Sequence, residues 1–218
     1  MIIHRRGHNT QSVGARGYLK EEYECDKINK SINKYLDKLG LKHLDVSPGA
    51  MDSSRDLAYG VNKCNENNGE IFFSIHMNSS TNETTEPLGC EVWVYNDKDM
   101  VEAKRLCEKL SALGFKNRGV KVNPKFYELK YTKCKAMIIE VCFVNSKSDV
   151  DRYNTIGHDI IAKAIVEGVT GYNIKSNVNT GVYQVVTESF SNKEYATQYQ
   201  EKLKEKGVKS FIQWRELK

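Results

Sequence analysis

Ile71-Phe72-Phe73-Ser74-Ile75-His76-Met77-Asn78 decides how the rest of the chain is read. Its opening is aromatic and β-branched, with Ser74 the one polar residue between Ile71 and Ile75, which predicts a buried strand. It then closes on a histidine and an asparagine. The N-terminus repeats the pattern: the apolar start Ile2-Ile3 runs through His4-Arg5-Arg6 to Gly7-His8-Asn9. A third run, Ala136-Met137-Ile138-Ile139-Glu140-Val141-Cys142-Phe143, carries a carboxylate inside an apolar strand. Histidines and a carboxylate at strand ends are the donor types from which a metal-hydrolase site is built.

Working outward, helices alternate with these strands. Cys25, Ile28, Ile32, Tyr35, Leu36 and Leu39 recur at steps of three and four after Glu21, and Gly40 stops the helix they predict. A short strand follows at Leu44 to Val46, then a turn at Ser47-Pro48-Gly49, and a helix from Asp56 to Asn65. Residues 89 to 95 alternate as a strand, Lys98 to Leu113 reads as a helix, residues 116 to 135 as irregular and basic, and Asp159 to Val169 as a helix. This alternation predicts an α/β three-layer domain, a sheet flanked by helices, over residues 1–172. In such sheets, sites gather outside the carboxyl ends of strands. Residues 173–181 lose periodicity and read as a linker, and residues 182–218 read as a small β-α-β unit too short for a core of its own.

The 218 residues are 39% hydrophobic and 28% charged, which excludes a disordered chain. A formal net charge of +5 suits an anionic polymer such as a cell wall, and equally an ordinary solvated surface; no nucleic-acid partner is expected. No apolar run approaches the roughly 18 residues that span a membrane, so no membrane insertion is expected. The N-terminus enters a strand directly with no signal-peptide pattern, which predicts synthesis in the cytoplasm and release before acting on any external substrate. Cys25, Cys64, Cys90, Cys107, Cys134 and Cys142 form no CxxC pair and read as scattered buried thiols.

His8 and His76 stand beside small or polar neighbours at the ends of apolar runs and are the candidate imidazole ligands; His4, His43 and His158 lack that context. A core histidine bonded to backbone is the ordinary alternative for each. Glu21, Glu22 and Glu24 open the first helix, where a carboxylate also favours the helix N-terminus, and pattern alone does not choose among them. Glu140 lies where a lone charge is costly unless paired or functional. Its alternative is a salt bridge with Arg118 or Lys121.

In order along the chain come Gly7-His8-Asn9, Gly14-Ala15-Arg16-Gly17, Glu21, Ser74-Ile75-His76-Met77-Asn78, Asn117-Arg118-Gly119-Val120-Lys121 and Ile139-Glu140-Val141-Cys142-Phe143. This set resembles zinc-dependent N-acetylmuramoyl-L-alanine amidases of the Amidase_3 type, and among them endolysins from phages and prophages of clostridia-like hosts. The resemblance spans residues 1 to about 171. It implies a mixed sheet wrapped by helices, one Zn2+ ion held by His8, Glu21 and His76, and Glu140 as the catalytic acid–base. It implies peptidoglycan as the substrate, cut between N-acetylmuramic acid and L-alanine, with Asn78, Arg118 and Lys121 as candidates for positioning the stem peptide. Glu21 is selected over Glu22 by its distance after Gly17. The sequence departs from the family pattern at Asn9, where many members carry glycine, and at Glu24, where relatives usually place an apolar residue.

Residues 183–194 and 207–212 resemble one half of a SPOR-type peptidoglycan-binding repeat. A half-repeat either pairs with a copy of itself, giving a homodimer through residues 182–218, or packs on the main domain. Two other functions compete: a zinc peptidase of wall peptides, and a non-catalytic wall-binding protein.

Overall fold

The computed structural model describes residues 1–98, 100–174, 189–208, 210 and 212. The chain divides into two units, Met1–Lys175 and Ser176–Lys218. In the first, six strands form one sheet: β1 (Ile2–Arg6), β2 (His43–Asp45), β3 (Ile71–Asn78), β4 (Cys90–Val94), β5 (Asn117–Val122) and β6 (Lys135–Phe143), in the order β2-β1-β3-β6-β4-β5. All neighbours run parallel except β4 and β6, which makes the sheet mixed as expected. The helices are α1 (Glu21–Lys38), α2 (Ser53–Glu66), α3 (Val101–Ala112), α4 (Tyr127–Tyr131), α5 (Lys147–Ile156) and α6 (His158–Thr170).

The strand period of two sorts the side chains onto two unlike faces. Phe73, Ile75 and Met77 of β3, Val92 and Val94 of β4, and Met137, Ile139 and Val141 of β6 point to one side. There they meet the apolar stripes of α1 (Cys25, Ile28, Ile32, Leu36), α3 (Leu106, Leu110) and α6 (Ile161, Ile165, Val169). On the other side Ile3, Phe72, Ala136 and Ile138 pack with Cys64 of α2 and Leu129 of α4. That second core is smaller because α4 has only five residues, and it covers only part of its sheet face. Ser74, His76 and Asn78 of β3, with Glu140 of β6, share this face.

Several elements differ from expectation. Residues 116–135 are not irregular: β5 and α4 lie within them. β5 is an edge strand whose two valines, Val120 and Val122, give too short an alternation beside Arg118 and Lys121, and α4 is shorter than two turns. α5 is an additional helix, capped by the Ser146 hydroxyl accepting from Asp149 N, with Val150, Tyr153 and Ile156 as its whole apolar signal. α2 begins three residues before Asp56 because the Asp52 carboxylate accepts from Arg55 N. All six cysteines are free, and five are buried.

In the second unit the helix expected from Asn192 is present as α7 (Lys193–Glu205), capped by the Asn192 side chain accepting from Glu194 N. The strand expected at 182–187 lies outside the described residues, as do residues 175–181 of the linker and Lys209, Phe211 and Gln213 of the strand expected after Gly207.

Candidate metal and acid–base site

The parallel register of β1, β3 and β6 creates the site. Gly7, just past β1, donates its N–H to the Ile75 carbonyl at 2.7 Å, so His8 leaves β1 beside the end of β3. His76 of β3 is in register with Glu140 of β6, and Glu140 in turn faces Glu91 of antiparallel β4. Side chains in register on one face are neighbours, so His76, Glu140 and Glu91 form a row across the sheet.

Glu21 enters from the first turn of α1. It is 2% exposed and fully committed: Oε2 accepts from Ala15 N at 2.6 Å, and Oε1 accepts from Met77 N at 2.9 Å. Oε1 also stands 3.1 Å from His76 Nδ1 and 3.4 Å from His8 Nε2. The two imidazoles meet edge to face at 5.1 Å. One donor atom from each of His8, Glu21 and His76 falls within 4.8 Å of the others. Two imidazoles and one carboxylate make a donor set that suits zinc with a coordination position left open.

The backbone is shaped around these side chains. A Cβ on Gly7 would lie 2.4 Å from the His76 ring, and one on Gly14 would lie 2.2 Å from Glu21 Oε2 and 2.5 Å from His8 Cδ2. Both glycines are there because the ligand side chains occupy the space a methyl would need. His8 itself has φ +62°, a left-handed conformation that costs a non-glycine residue about 1–3 kcal/mol and collects at functional sites. Arg6 holds the turn, its guanidinium donating to the carbonyls of His8 and Pro48.

The charges explain the protonation tendencies of the metal-free site. For Glu21, burial opposes ionisation, but hydrogen bonds from His76 and His8 win and hold the carboxyl below the usual carboxylate range. For His76, burial disfavours the imidazolium, yet the hydrogen bond and charge of Glu21, joined by Glu140 and Glu128, raise it to about 9. Glu140 is pushed up to about 7 by burial, with His76 opposing and the charges of Glu21, Glu91 and Glu128 reinforcing. Its Oε2 is sealed from solvent and has no hydrogen-bond partner among the described residues. A carboxyl group titrating near neutrality can both accept and release a proton there.

The salt bridge considered for Glu140 does not form: Arg118 Nε instead donates to Glu91 Oε2 at 2.7 Å, and its guanidinium lies over the Phe143 ring. Asn78 Nδ2 donates to Glu91 Oε1 at 2.8 Å, so Asn78 and Arg118 are joined through one carboxylate. Lys121 is in register with Trp93 of β4, and its side chain makes no hydrogen bond or ion pair among the described residues. Glu22 turns away from the histidines and pairs with Arg16. The two departures from the family pattern also find partners. Glu24 accepts from the Tyr153 hydroxyl at 2.8 Å. Asn9 accepts from the N–H groups of Gln11, Ser12 and Met51 and donates to Asp56.

The sequence reading missed Glu91, Glu128, Asp56 and Arg5. Each is at most 3% exposed and bears on the site through hydrogen bonds or charge. Glu91 and Trp93 fall on the polar half of an alternating strand, which reads as the solvent side; that side is the site. Arg5 had a usable signal, a charge inside the first strand.

The family model described as N-acetylmuramoyl-L-alanine amidase matches residues 2–171. An uncharacterised protein of Clostridium perfringens is 40% identical over 180 residues, which cover 81% of this chain and 53% of that protein. The N-acetylmuramoyl-L-alanine amidase LytC of Bacillus subtilis is 33% identical over 174 residues, covering 76% of this chain and 34% of LytC. Among solved structures, the catalytic domain of an endolysin targeting Clostridia difficile superposes with a TM-score of 0.71 at 30% identity, covering 80% of this chain and 98% of that domain. The chain spans about half the length of the Clostridium perfringens relatives it matches.

Proposed function

This chain belongs to the N-acetylmuramoyl-L-alanine amidase family, and on that premise we propose that it hydrolyses the amide between the lactyl group of N-acetylmuramic acid and L-alanine in peptidoglycan. The observation that carries the reading is the convergence of His8, Glu21 and His76 beside a half-buried Glu140 whose carboxyl sits up at about 7.

His8, Glu21 and His76 would hold zinc; when bound, it supplies Lewis acidity that lowers the pKa of water towards about 7 and polarises a carbonyl. Glu21 is kept ionised by the two imidazoles and aimed by Ala15 N and Met77 N, so the donor triad is set before any ligand arrives. Glu140 accepts the proton of the attacking water and delivers it to the nitrogen of the departing L-alanine. Glu91 stays fixed by Asn78 and Arg118 and adds negative charge that keeps Glu140 basic. Lys121, on the same sheet face as Trp93, offers an ammonium to a carboxylate of the stem peptide, and Arg118 and Asn78 border the same row. Likeness to an endolysin catalytic domain supports a wall-lysing role.

The test is digestion of purified Gram-positive peptidoglycan by wild type and Glu140→Gln at matched zinc content. Wild type is expected to free alanine amines without new reducing sugars, and the variant to keep zinc while losing about 10²–10⁴-fold in kcat. Reducing sugars in place of amines, or a fully active variant, would overturn the assignment. New amines other than alanine would instead favour a peptidase of wall peptides.

A further inference from the structure

His76 presents its two ring nitrogens to two different carboxylates. Nδ1 faces Glu21 Oε1 at 3.1 Å, on the side of the donor triad, while Nε2 faces Glu128 Oε2 at 3.9 Å. Glu128 comes from α4, the five-residue helix that lies over the second sheet face, and it is 2% exposed. Its Oε2 accepts from the Ser74 hydroxyl at 2.7 Å, two residues before His76 on the same face of β3. Its Oε1 lies 3.3 Å from Arg5 Nη1 and has no hydrogen bond.

Behind Glu128 runs a chain of buried charge. Arg5 is 1% exposed and its guanidinium is paired with the Asp56 carboxylate, while Nη1 donates to the Asp56 carbonyl at 2.9 Å. Asp56 Oδ1 accepts from Asn9 Nδ2 at 2.9 Å, the residue after His8. α2 makes room for the guanidinium with Gly60, where a Cβ would stand 2.7 Å from Arg5 Nη1. An ion chain of this kind is weak evidence for stability, since apolar residues of similar volume usually serve as well or better. Its two ends reach the two histidines, one through Asn9 and one through Glu128.

We propose that Glu128 is a positioning residue for the metal centre: anchored by Arg5 and Ser74, it faces Nε2 of His76 and selects the tautomer in which Nε2 carries the hydrogen and the Nδ1 lone pair is free for a divalent cation. This rests on the zinc reading given above. A gap of 3.9 Å is longer than a hydrogen bond, so the carboxylate works at that separation by its charge, which favours an N–H pointing at it and disfavours a lone pair there. Carboxylates behind ligating imidazoles raise ligand basicity and fix ring orientation, and their loss typically weakens metal affinity about 10–100-fold.

The full chain is titrated with zinc chloride against a chromophoric chelator, alongside 15N spectra of the histidine rings and melting of the metal-free protein. Glu128→Gln is expected to bind zinc about 10–100-fold more weakly than wild type, and its zinc-loaded His76 Nε2 signal is expected to shift while the metal-free fold persists. Ser74→Ala, which removes only the hydroxyl anchor, is expected to lose a smaller factor in the same direction; it keeps the idea testable should Glu128→Gln fail to fold. If either folded variant binds zinc within twofold of wild type with unchanged His76 nitrogen signals, Glu128 is structural and the proposal falls alone. If wild type binds no zinc, the zinc reading itself fails and takes the proposal with it.

Discussion

Glycines fix the site at the residue scale as firmly as the histidines do. Gly7→Ala places a methyl against the His76 ring, and Gly14→Ala places one against Glu21 and His8. Both variants are expected to lose zinc binding by at least tenfold while keeping most of the wild-type far-ultraviolet circular dichroism; unchanged affinity would show that the ligand side chains have room to move. Glu140 gives a pH dependence. Its pKa is raised to about 7, so the carboxyl is protonated below that and unable to act as base. A bound cation pulls the value down, so kcat/KM is expected to fall on the acid side with a limb at or below pH 7. An acid limb that persists unchanged in the residual rate of Glu140→Gln would assign it to another group.

Among elements, the contact of β1 with α1 runs through a second buried histidine. His4 Nδ1 shares a hydrogen bond with Asn29 Oδ1 at 2.8 Å, and its ring stacks on Phe73. Burial lowers its pKa below the ordinary 6.5, although Asp45 and Asn29 oppose this. The unfolded chain therefore takes up this proton first as pH falls, so the contribution of His4 to stability is full above about pH 6.5 and is lost below it. Urea midpoints from pH 7.5 to 5 are expected to fall more for wild type than for His4→Phe; parallel curves would show that His4 does not titrate on unfolding. The packing of α3 on α6 depends on Gly168, where a Cβ would stand 3.0 Å from the Leu106 Cα. Gly168→Val is expected to cost about 1–3 kcal/mol in urea unfolding.

For the whole molecule, cation binding and folding are linked. Zinc at a hundredfold over its Kd is expected to stabilise the native chain by about 2.7 kcal/mol, and His76→Ala is expected to abolish the gain. An equal melting shift in the variant would place the binding elsewhere. In the second unit α7 has no buried residue among those described, and Tyr195 is 61% exposed. We propose that residues 182–218 pair with a second copy of this chain. Sedimentation of the full chain is expected to show a concentration-dependent dimer, and a monomer at every concentration would exclude self-pairing. No helix among the described residues is long and apolar enough to cross a membrane.

Much of this is legible in the sequence. The alternation of long apolar strands with 3.6-period helices specified an α/β sheet, because each element carries its own periodicity whatever surrounds it. His8, His76 and Glu140 stood out for the same local reason, as polar groups set in apolar runs. What the sequence left open was decided by neighbours distant along the chain. Glu21 rather than Glu22 meets the histidines because of the rotation of α1 against β3, and one residue of helix turns a side chain by about 100°. Glu91 and Glu128 carry no local sign of their place, since strand register and the landing of a five-residue helix bring them to His76 and Glu140. β5 and α4 are too short to declare themselves by period, and only packing against β4 and the second sheet face makes them ordered elements. The sequence by itself determined an α/β sheet, its longer helices and three of the groups at the site; the tertiary structure alone decided which carboxylates converge on them, because that convergence rests on register and helix rotation, which no stretch of sequence carries locally.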